Sequence, residues 1–79
     1  MFYVYILKSE HHKQIYTGYT KNLKLRLSDH NAGRSPYTKK FKPWKLVTYI
    51  AFDREIQARK FEEYLKTGSG IAFSRRRLL

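Results

Sequence analysis

Two short segments near the N-terminus alternate in polarity with a period of two, and both are rich in tyrosine. They cover residues 2–7 and 14–20, and the polar stretch Ser9-Glu10-His11-His12 lies between them. Aromatic and β-branched side chains at this period are typical of β-strands. A polar stretch of this length is typical of a hairpin loop. The sequence therefore predicts an antiparallel hairpin at the start of the chain.

The register of this hairpin decides which tyrosines lie together. If Leu7 pairs with Gln14, Tyr5 falls opposite Tyr16, and the period of two places both side chains on one face of the sheet. A buried phenol needs a hydrogen-bond partner, so tyrosine is an unusual residue to repeat on a core strand. This pairing would bring two phenols within reach of one ligand.

A helix is predicted after the hairpin. Asn22 is a suitable N-cap, and the helix is expected to end near Ala32 because Gly33 is a common helix stop. Arg26 and His30 are four residues apart and therefore share a face of this helix. The basic segment from residue 33 to residue 43 is interpreted as a loop.

The second half of the chain predicts one more strand and two more helices. Residues 44–52 are apolar enough for a strand, and the near-continuous apolar run from Leu46 favours a central one. Asp53 is expected to cap a helix that runs to Lys66 and ends at Thr67-Gly68-Ser69-Gly70. A short last helix is predicted over residues 71–79.

The order of these elements is β-β-α-β-α-α, and the initial hairpin argues against an all-parallel sheet. The predicted fold class is therefore α+β, with a small antiparallel three-stranded sheet flanked by helices. A length of 79 residues corresponds to one small domain, so a single domain over residues 1–79 is expected.

Charge narrows the class of partner. The chain has 17 Lys and Arg residues against 6 Asp and Glu, a formal net charge of +11. Such an excess favours a polyanion, most commonly nucleic acid, although a membrane surface or an acidic protein would also suit it. Two clusters of basic residues are candidate phosphate contacts, which position a nucleic acid without specifying its sequence: Lys39, Lys40, Lys42 and Lys45, and Arg75, Arg76 and Arg77.

The sequence lacks the features of disulfide-stabilised, membrane-spanning and secreted proteins. There is no cysteine, so neither a disulfide framework nor a thiolate metal site is available. No apolar run approaches the length of a membrane span, and the N-terminus lacks the pattern of a signal peptide. We therefore expect a cytoplasmic domain with no membrane partner.

Each candidate residue, taken alone, also has an ordinary structural explanation. A single tyrosine is more often an amphipathic strand residue with its hydroxyl at a wet edge. A lone histidine such as His30 is more often exposed on its helix, and Arg26 can pair with Asp29. Trp44 is more often a core residue than a platform for stacking a base.

Glu62 is harder to explain structurally. It lies beside Ala58 and Phe61 on the apolar side of its predicted helix, where a carboxylate is costly unless it is paired or binds a metal. Lys66 lies four residues further on and is a possible ion-pair partner. Both explanations remain open at this point.

Together, these residues resemble the motifs of the GIY-YIG nuclease family. Ten residues lie between Tyr5 and Tyr16, which belong to segments similar to the two motifs that name the family. Nearly the whole chain takes part, and it is similar to the small single-domain branch akin to the N-terminal domain of the bacterial excinuclease C subunit. The segments that carry the resemblance are Tyr3-Val4-Tyr5, Tyr16-Thr17-Gly18, Leu23-x-x-Arg26-Leu27-x-x-His30-Asn31 and Ala58-Arg59-Lys60-Phe61-Glu62.

The resemblance implies a divalent-metal-dependent endonuclease that hydrolyses phosphodiester bonds in DNA, as in DNA repair. It implies that Tyr5 is the general base, that Tyr16 positions the water or the phosphate, and that His30 assists either phenol. Arg26 would bind the scissile phosphate, and Glu62 would hold Mg²⁺ or Mn²⁺. Nothing resembles an element that reads bases, so weak sequence specificity is expected, set by nucleic-acid shape or by a partner protein.

The sequence also departs from the family pattern. Tyr3 stands in place of glycine, Val4 in place of isoleucine, and Thr17 in place of isoleucine. No asparagine follows Asn31, so the role of a later family asparagine is empty or taken by a residue such as Ser74. The alternative function is therefore a non-catalytic basic nucleic-acid-binding module of the same fold. A third hypothesis, an adaptor for an anionic protein or membrane surface, explains the charge but not a carboxylate among apolar neighbours.

Overall fold

Three antiparallel strands and three helices make up the fold, and the computed structural model describes residues 1–79. The predicted α+β class and the order β-β-α-β-α-α are confirmed. A short 3-10 turn at Lys39–Phe41 interrupts the loop before the third strand. The elements are β1 (Phe2–Ser9), β2 (Ile15–Thr20), α1 (Leu23–Asn31), β3 (Trp44–Phe52), α2 (Glu55–Leu65) and α3 (Gly68–Arg77).

The central strand of the sheet is β1, which pairs with β2 on one side and β3 on the other. The prediction that β3 is central is therefore wrong. Four consecutive residues of β1 are buried because both faces of this strand are covered, whereas side chains of β3 such as Tyr49 remain exposed. An apolar run thus did not distinguish a central strand from an edge strand here, since an edge strand can also pack one face on the core.

The register of the β1–β2 hairpin differs from the prediction by two residues. Leu7 pairs with Tyr16, and Tyr5 pairs with Gly18. A shift of two keeps every side chain on its face, so Tyr5 and Tyr16 still lie together, but as diagonal neighbours rather than directly opposite. The hairpin is also longer than predicted, since β1 extends to Ser9, whose backbone N–H donates to the Gln14 carbonyl at 3.0 Å.

Each face of the sheet carries its own core cluster. On one face, β1 and α2 bury four residues together: Val4, Ile6, Ala58 and Leu65. On the other face, α1 and the loop before β3 cover a second cluster that consists of Tyr5, Leu7 and Trp44. The ordinary explanation of the tryptophan as a core residue is confirmed, since its side chain is buried and its indole N–H donates to the Thr38 carbonyl at 2.9 Å.

The ends of α1 follow the prediction. The Asn22 side chain accepts a hydrogen bond from the backbone N–H of Leu25 at 3.0 Å, which satisfies one of the free donors of the first turn. Gly33, with φ of 77°, follows the C-cap residue Ala32. A left-handed conformation of this kind favours glycine.

The N-cap of α2 is Arg54 rather than Asp53, so that prediction is wrong. The first helical hydrogen bond joins the N–H of Ala58 to the carbonyl of Arg54, which places Asp53 outside the helix. No side chain caps this end. Glu55 in the first turn accepts a hydrogen bond from the Tyr19 hydroxyl at 2.9 Å instead.

The segment Thr67-Gly68-Ser69-Gly70 begins α3, so the prediction that it ends the preceding helix without starting the next one is wrong. The Thr67 hydroxyl accepts a hydrogen bond from the Gly70 N–H at 3.1 Å and caps the new helix. Gly70 also lies where α3 crosses the end of α2, and a Cβ placed there would collide with the Tyr64 carbonyl oxygen. None of the helices is long and apolar enough to cross a membrane.

We predict that Gly70→Ala lowers the free energy of unfolding by about 1–3 kcal/mol, because α3 must move away from α2 to admit the methyl group. Gly68→Ala is the matched control, since a Cβ at that position meets nothing within 4 Å. It should leave stability unchanged or raise it by up to about 1 kcal/mol. Urea denaturation of both variants measures the difference, and equal stabilities would contradict the described crossing of the helices.

Candidate active site

The Tyr5 side chain lies across the backbone of β2. It is only 1% exposed, and a Cβ at Gly18 would collide with its hydroxyl group. Gly18 is therefore required for a close approach of side chain to backbone. This absence of a side chain lets the Tyr5 phenol pass over the edge strand towards α1.

A chain of buried hydrogen bonds continues from the Tyr5 hydroxyl. The hydroxyl lies 2.8 Å from Nε2 of His30, and Nδ1 of His30 lies 2.7 Å from Oγ1 of Thr38. His30 and Thr38 are both fully buried. The expectation of an exposed histidine is therefore wrong, and the ring is held at both nitrogens between a strand and a loop.

Burial shifts the pKa values of this pair in opposite directions. Desolvation raises the pKa of Tyr5 to about 12, although the nearby Arg26 partly opposes the shift. Desolvation lowers the pKa of His30 below its ordinary value, and the charge of Arg26 lowers it further. At neutral pH the phenol is therefore protonated and the imidazole is neutral.

A neutral imidazole donates through one ring nitrogen and accepts through the other. With the proton on Nδ1, the ring of His30 donates to the Thr38 hydroxyl and accepts from the Tyr5 hydroxyl. In this tautomer the Thr38 contact holds Nε2 ready to receive the phenol proton. No feature of the sequence marks Thr38 as a site residue, because a threonine in a basic loop carries no signal of a contact with a helix.

Tyr16 and Arg26 complete the cluster around this pair. The Tyr16 ring centroid lies 4.9 Å from that of His30 and 6.2 Å from that of Tyr5. Burial alone would lower the pKa of Arg26, but interaction with the Tyr5 and Tyr16 phenols raises it above its ordinary value. The structure thus brings four of the five predicted catalytic residues into one cluster.

Arg26 has no carboxylate partner in the structure. Asp29, its predicted partner, pairs with Arg34 at 3.0 Å instead, and the other two ion pairs of the chain lie on α2. The guanidinium group is therefore a cation whose charge no neighbouring carboxylate offsets. Its planar array of donors suits the oxygens of a phosphate group.

Glu62 lies on the α2 side of the same region. Its charge contributes to the raised pKa of Tyr5, and its side chain, 19% exposed, forms an ion pair with Lys66 at 3.0 Å. No group of three His, Cys, Asp or Glu residues is arranged to hold a metal ion. A single carboxylate nevertheless fits Mg²⁺, which binds through one or two carboxylates plus water and phosphate oxygens.

The two basic clusters lie at different places. The lysine cluster (Lys39, Lys40, Lys42 and Lys45) begins directly after Thr38, and all four side chains are exposed. The arginines at the end of α3 (Arg75, Arg76 and Arg77) are exposed as well. Arg75 and Ser74 line a groove that also includes Tyr16. The Ser74 hydroxyl is buried and has no hydrogen-bond partner.

Comparison with known proteins agrees with this arrangement of residues. A model of the GIY-YIG catalytic domain matches residues 1–71 of the chain. The chain is 41% identical over 68 residues to the UPF0213 protein SH2523 of Staphylococcus haemolyticus, covering 85% of this chain and 82% of that one. It is 42% identical over 67 residues to the UPF0213 protein CPE1444 of Clostridium perfringens, covering 84% and 71%.

A solved structure is also similar. The solution NMR structure of the UPF0213 protein BH0048 from Bacillus halodurans superimposes with a TM-score of 0.59 and 29% sequence identity, covering 99% of this chain and 87% of that one. The family match covers both tyrosine motifs, the helix that carries Arg26 and His30, and Glu62. The chain therefore belongs to the GIY-YIG family of nuclease catalytic domains, among its small UPF0213 members.

Proposed function

We propose that the chain is a divalent-metal-dependent endonuclease that hydrolyses phosphodiester bonds in DNA. The observation that carries this proposal is the buried hydrogen-bonded chain from Tyr5 through His30 to Thr38, beside an arginine with no carboxylate partner. A purely structural tyrosine needs one hydrogen-bond partner. It does not need a neutral imidazole held in one orientation by a second buried hydroxyl.

The proposed proton transfer starts at the attacking water. A phenol with a pKa of about 12 is protonated at neutral pH, so Tyr5 accepts the proton of water only as its own proton leaves. His30 is neutral and accepts that proton at Nε2. The resulting hydroxide attacks phosphorus, the bond to the 3′ oxygen breaks, and the departing oxygen takes a proton from solvent water to become a hydroxyl. The imidazolium that forms at His30 donates from Nδ1 to the Thr38 hydroxyl and then returns its extra proton to solvent.

Arg26 and Tyr16 act on the phosphate. The Arg26 guanidinium donates two hydrogen bonds to non-bridging oxygens and stabilises the charge that accumulates on them in the transition state. The Tyr16 hydroxyl, on the same face as Tyr5, orients the phosphate or the water. Both residues require the phosphate to approach from the side of β2, which is an edge strand.

Glu62 would hold the metal ion. Mg²⁺ or Mn²⁺, when bound, would neutralise the charge on the leaving oxygen. Binding requires the Lys66 ammonium to give up its 3.0 Å contact with Glu62 or to share the carboxylate. Lys66 would then be free to contact the substrate. In the free protein, the ion pair keeps Glu62 from being an unpaired carboxylate.

The same ion pair is the observation that favours a second candidate function. A glutamate already paired with Lys66, outside any group of three His, Cys, Asp or Glu residues that could hold a metal, also suits a basic module that binds nucleic acid without cutting it. Metal-dependent turnover separates the two candidates.

We predict that Glu62→Gln reduces cleavage of DNA by about 100-fold or more in Mg²⁺ or Mn²⁺, because one transition-state contact of this kind contributes a factor of that order. Glu63→Gln is the matched control, since Glu63 is the adjacent residue and is exposed. Cleavage of an end-labelled oligonucleotide, resolved on a denaturing gel, measures the effect. Equal rates for the two variants would remove Glu62 from the metal site.

We predict that Tyr5→Phe abolishes cleavage while the dissociation constant for DNA changes less than about 3-fold, because the ring still packs on Gly18 but no longer transfers a proton. Tyr3→Phe is the control on the same strand and face, and it should retain activity. Cleavage kinetics and fluorescence anisotropy measure the two quantities. Full activity of Tyr5→Phe would exclude Tyr5 as the base.

We predict that Thr38→Val reduces the cleavage rate by about 10-fold or more and that Thr38→Ser restores it, because a hydroxyl at this position holds Nδ1 of His30 and accepts a hydrogen bond from the imidazolium that forms. The pH profile distinguishes this role from a merely structural one. Since the pKa of His30 is lowered, wild-type activity should persist down to its ordinary value of 6.5 and fall at more acidic pH.

In Thr38→Val the charged imidazole loses a hydrogen-bond acceptor, so the pKa of His30 decreases further and the acidic limb of the profile moves to lower pH. Rates measured between pH 5 and pH 8 test this shift. An unchanged profile in Thr38→Val would show that the threonine does not act through His30.

A further inference from the structure

Exposed apolar side chains are concentrated in one groove beside the candidate active site. Nine large hydrophobic residues are exposed in the whole chain, and four of them line this groove: Ile15, Tyr37, Ile71 and Leu79. The groove runs along the free edge of β2, between the loop after α1 and helix α3. Neighbouring exposed apolar side chains in a small protein often mark a binding surface.

The groove is continuous with the proposed catalytic residues. Tyr16 lines it, and the ring of Tyr37 lies 5.9 Å from the Tyr16 ring, centroid to centroid, with its side chain 71% exposed. Lys66, the ion-pair partner of Glu62, lines the opposite wall. A ligand whose phosphate lies at Arg26 and Tyr16 would therefore have its neighbouring atoms at this groove.

The charges of the groove match a nucleic-acid strand. Its only charged lining side chains are those of Lys66 and Arg75, and no Asp or Glu side chain lines it. An exposed aromatic ring with aliphatic neighbours suits the flat face of a base, and the two cations suit the phosphates on either side of it. In a duplex, both faces of each base are covered by stacking, so only an unpaired base can enter.

We infer that this groove binds one unpaired nucleobase next to the scissile phosphate. The inference rests on the proposed nuclease function and adds a substrate class to it. In this arrangement the base stacks on Tyr37, Ile71 packs against its edge, and Arg75 contacts a flanking phosphate. The preferred substrate is then a strand with an unpaired nucleotide at the cleavage site, in single-stranded or branched nucleic acid.

A second copy of the chain is a poorer occupant of the groove. Each chain carries a net charge of +11, so two basic surfaces would repel one another on association. Arg75 in the wall of the groove, which forms no ion pair within the chain, would also remain without a partner of opposite charge. A nucleic-acid strand offers a base for the apolar side chains of the groove and phosphates for its cationic side chains.

Fluorescence of 2-aminopurine tests the inference, because stacking on an aromatic ring quenches this base analogue. Single-stranded oligonucleotides with the analogue at successive positions are titrated with the wild-type chain in EDTA, so that no metal-dependent cleavage takes place. A fully paired duplex of the same sequence serves as the comparison. Tyr37→Ala is the test variant, Tyr37→Trp retains an aromatic ring, and Tyr49→Ala, which removes another exposed tyrosine, is the control.

We expect the wild-type chain and Tyr37→Trp to quench the analogue at one position and to bind the single strand more tightly than the duplex. Tyr37→Ala should lose the quenching and roughly 5-fold to 150-fold in affinity for the single strand, which is the effect of losing one base–aromatic stack. Tyr49→Ala should behave as wild type. Because Tyr37 is exposed, Tyr37→Ala should unfold in urea at the same midpoint as wild type.

Unchanged quenching and affinity in Tyr37→Ala would overturn the inference, as would a loss of equal size for the duplex. It would also be overturned if sedimentation showed that Tyr37→Ala only converts a dimer to a monomer.

The experiments distinguish failure of the nuclease proposal from failure of the groove proposal. Tyr37-dependent binding of an unpaired base without cleavage in any metal would reject only the nuclease function. Metal-dependent cleavage that is insensitive to Tyr37→Ala would reject only the binding of a base in the groove.

Discussion

The close packing of the Tyr5 ring on the backbone of Gly18 is the contact on which the rest of the site depends. It places a phenol on the central strand under α1, where its hydroxyl is buried and needs a hydrogen-bond partner in the protein. His30 supplies that partner, and Thr38 supplies the partner of His30. One buried hydroxyl on a strand thus fixes the position of a helix and of a basic loop relative to the sheet.

The distribution of acidic and basic side chains is the second feature that shapes the candidate site. Three ion pairs use half of the six acidic residues, and none of them involves Arg26. Asp29 is drawn towards Arg34, beyond the end of α1, so the guanidinium beside the tyrosines keeps its charge for a ligand. The excess of cations destabilises a small compact chain through self-repulsion, which is consistent with a fold whose partner is a polyanion.

Local sequence signals predicted most of the fold. The period of two identified the hairpin, Asn22 identified the start of α1, and the tyrosine motifs identified residues that lie together. The errors concern choices that local pattern does not determine. A register shift of two keeps the same faces, so polarity does not exclude it, and the last residue of β1, Ser9, pairs with Trp44 of β3, which is far away in the sequence.

The remaining errors have the same origin. Glycine after a helix usually ends it, but at Gly70 the residue is needed because two helices cross there. The basic loop gave no sign that Thr38 is buried against His30, and no pattern links Tyr37 to α3. Both features depend on tertiary packing, which no local pattern encodes. Residue type therefore predicted which side chains lie together, while three-dimensional packing was needed to find what positions them.

The measurement that tests the central claim most directly is hydrolysis itself. Labelled single-stranded, duplex and branched DNA, and RNA of matched sequence, are incubated with the chain in Mg²⁺, in Mn²⁺ or in EDTA. The account predicts internal cleavage that requires the metal, favours DNA with unpaired nucleotides and leaves a 3′ hydroxyl group. Salt-sensitive binding of the same molecules without cleavage in either metal would contradict it and would leave the tyrosine cluster with a structural role.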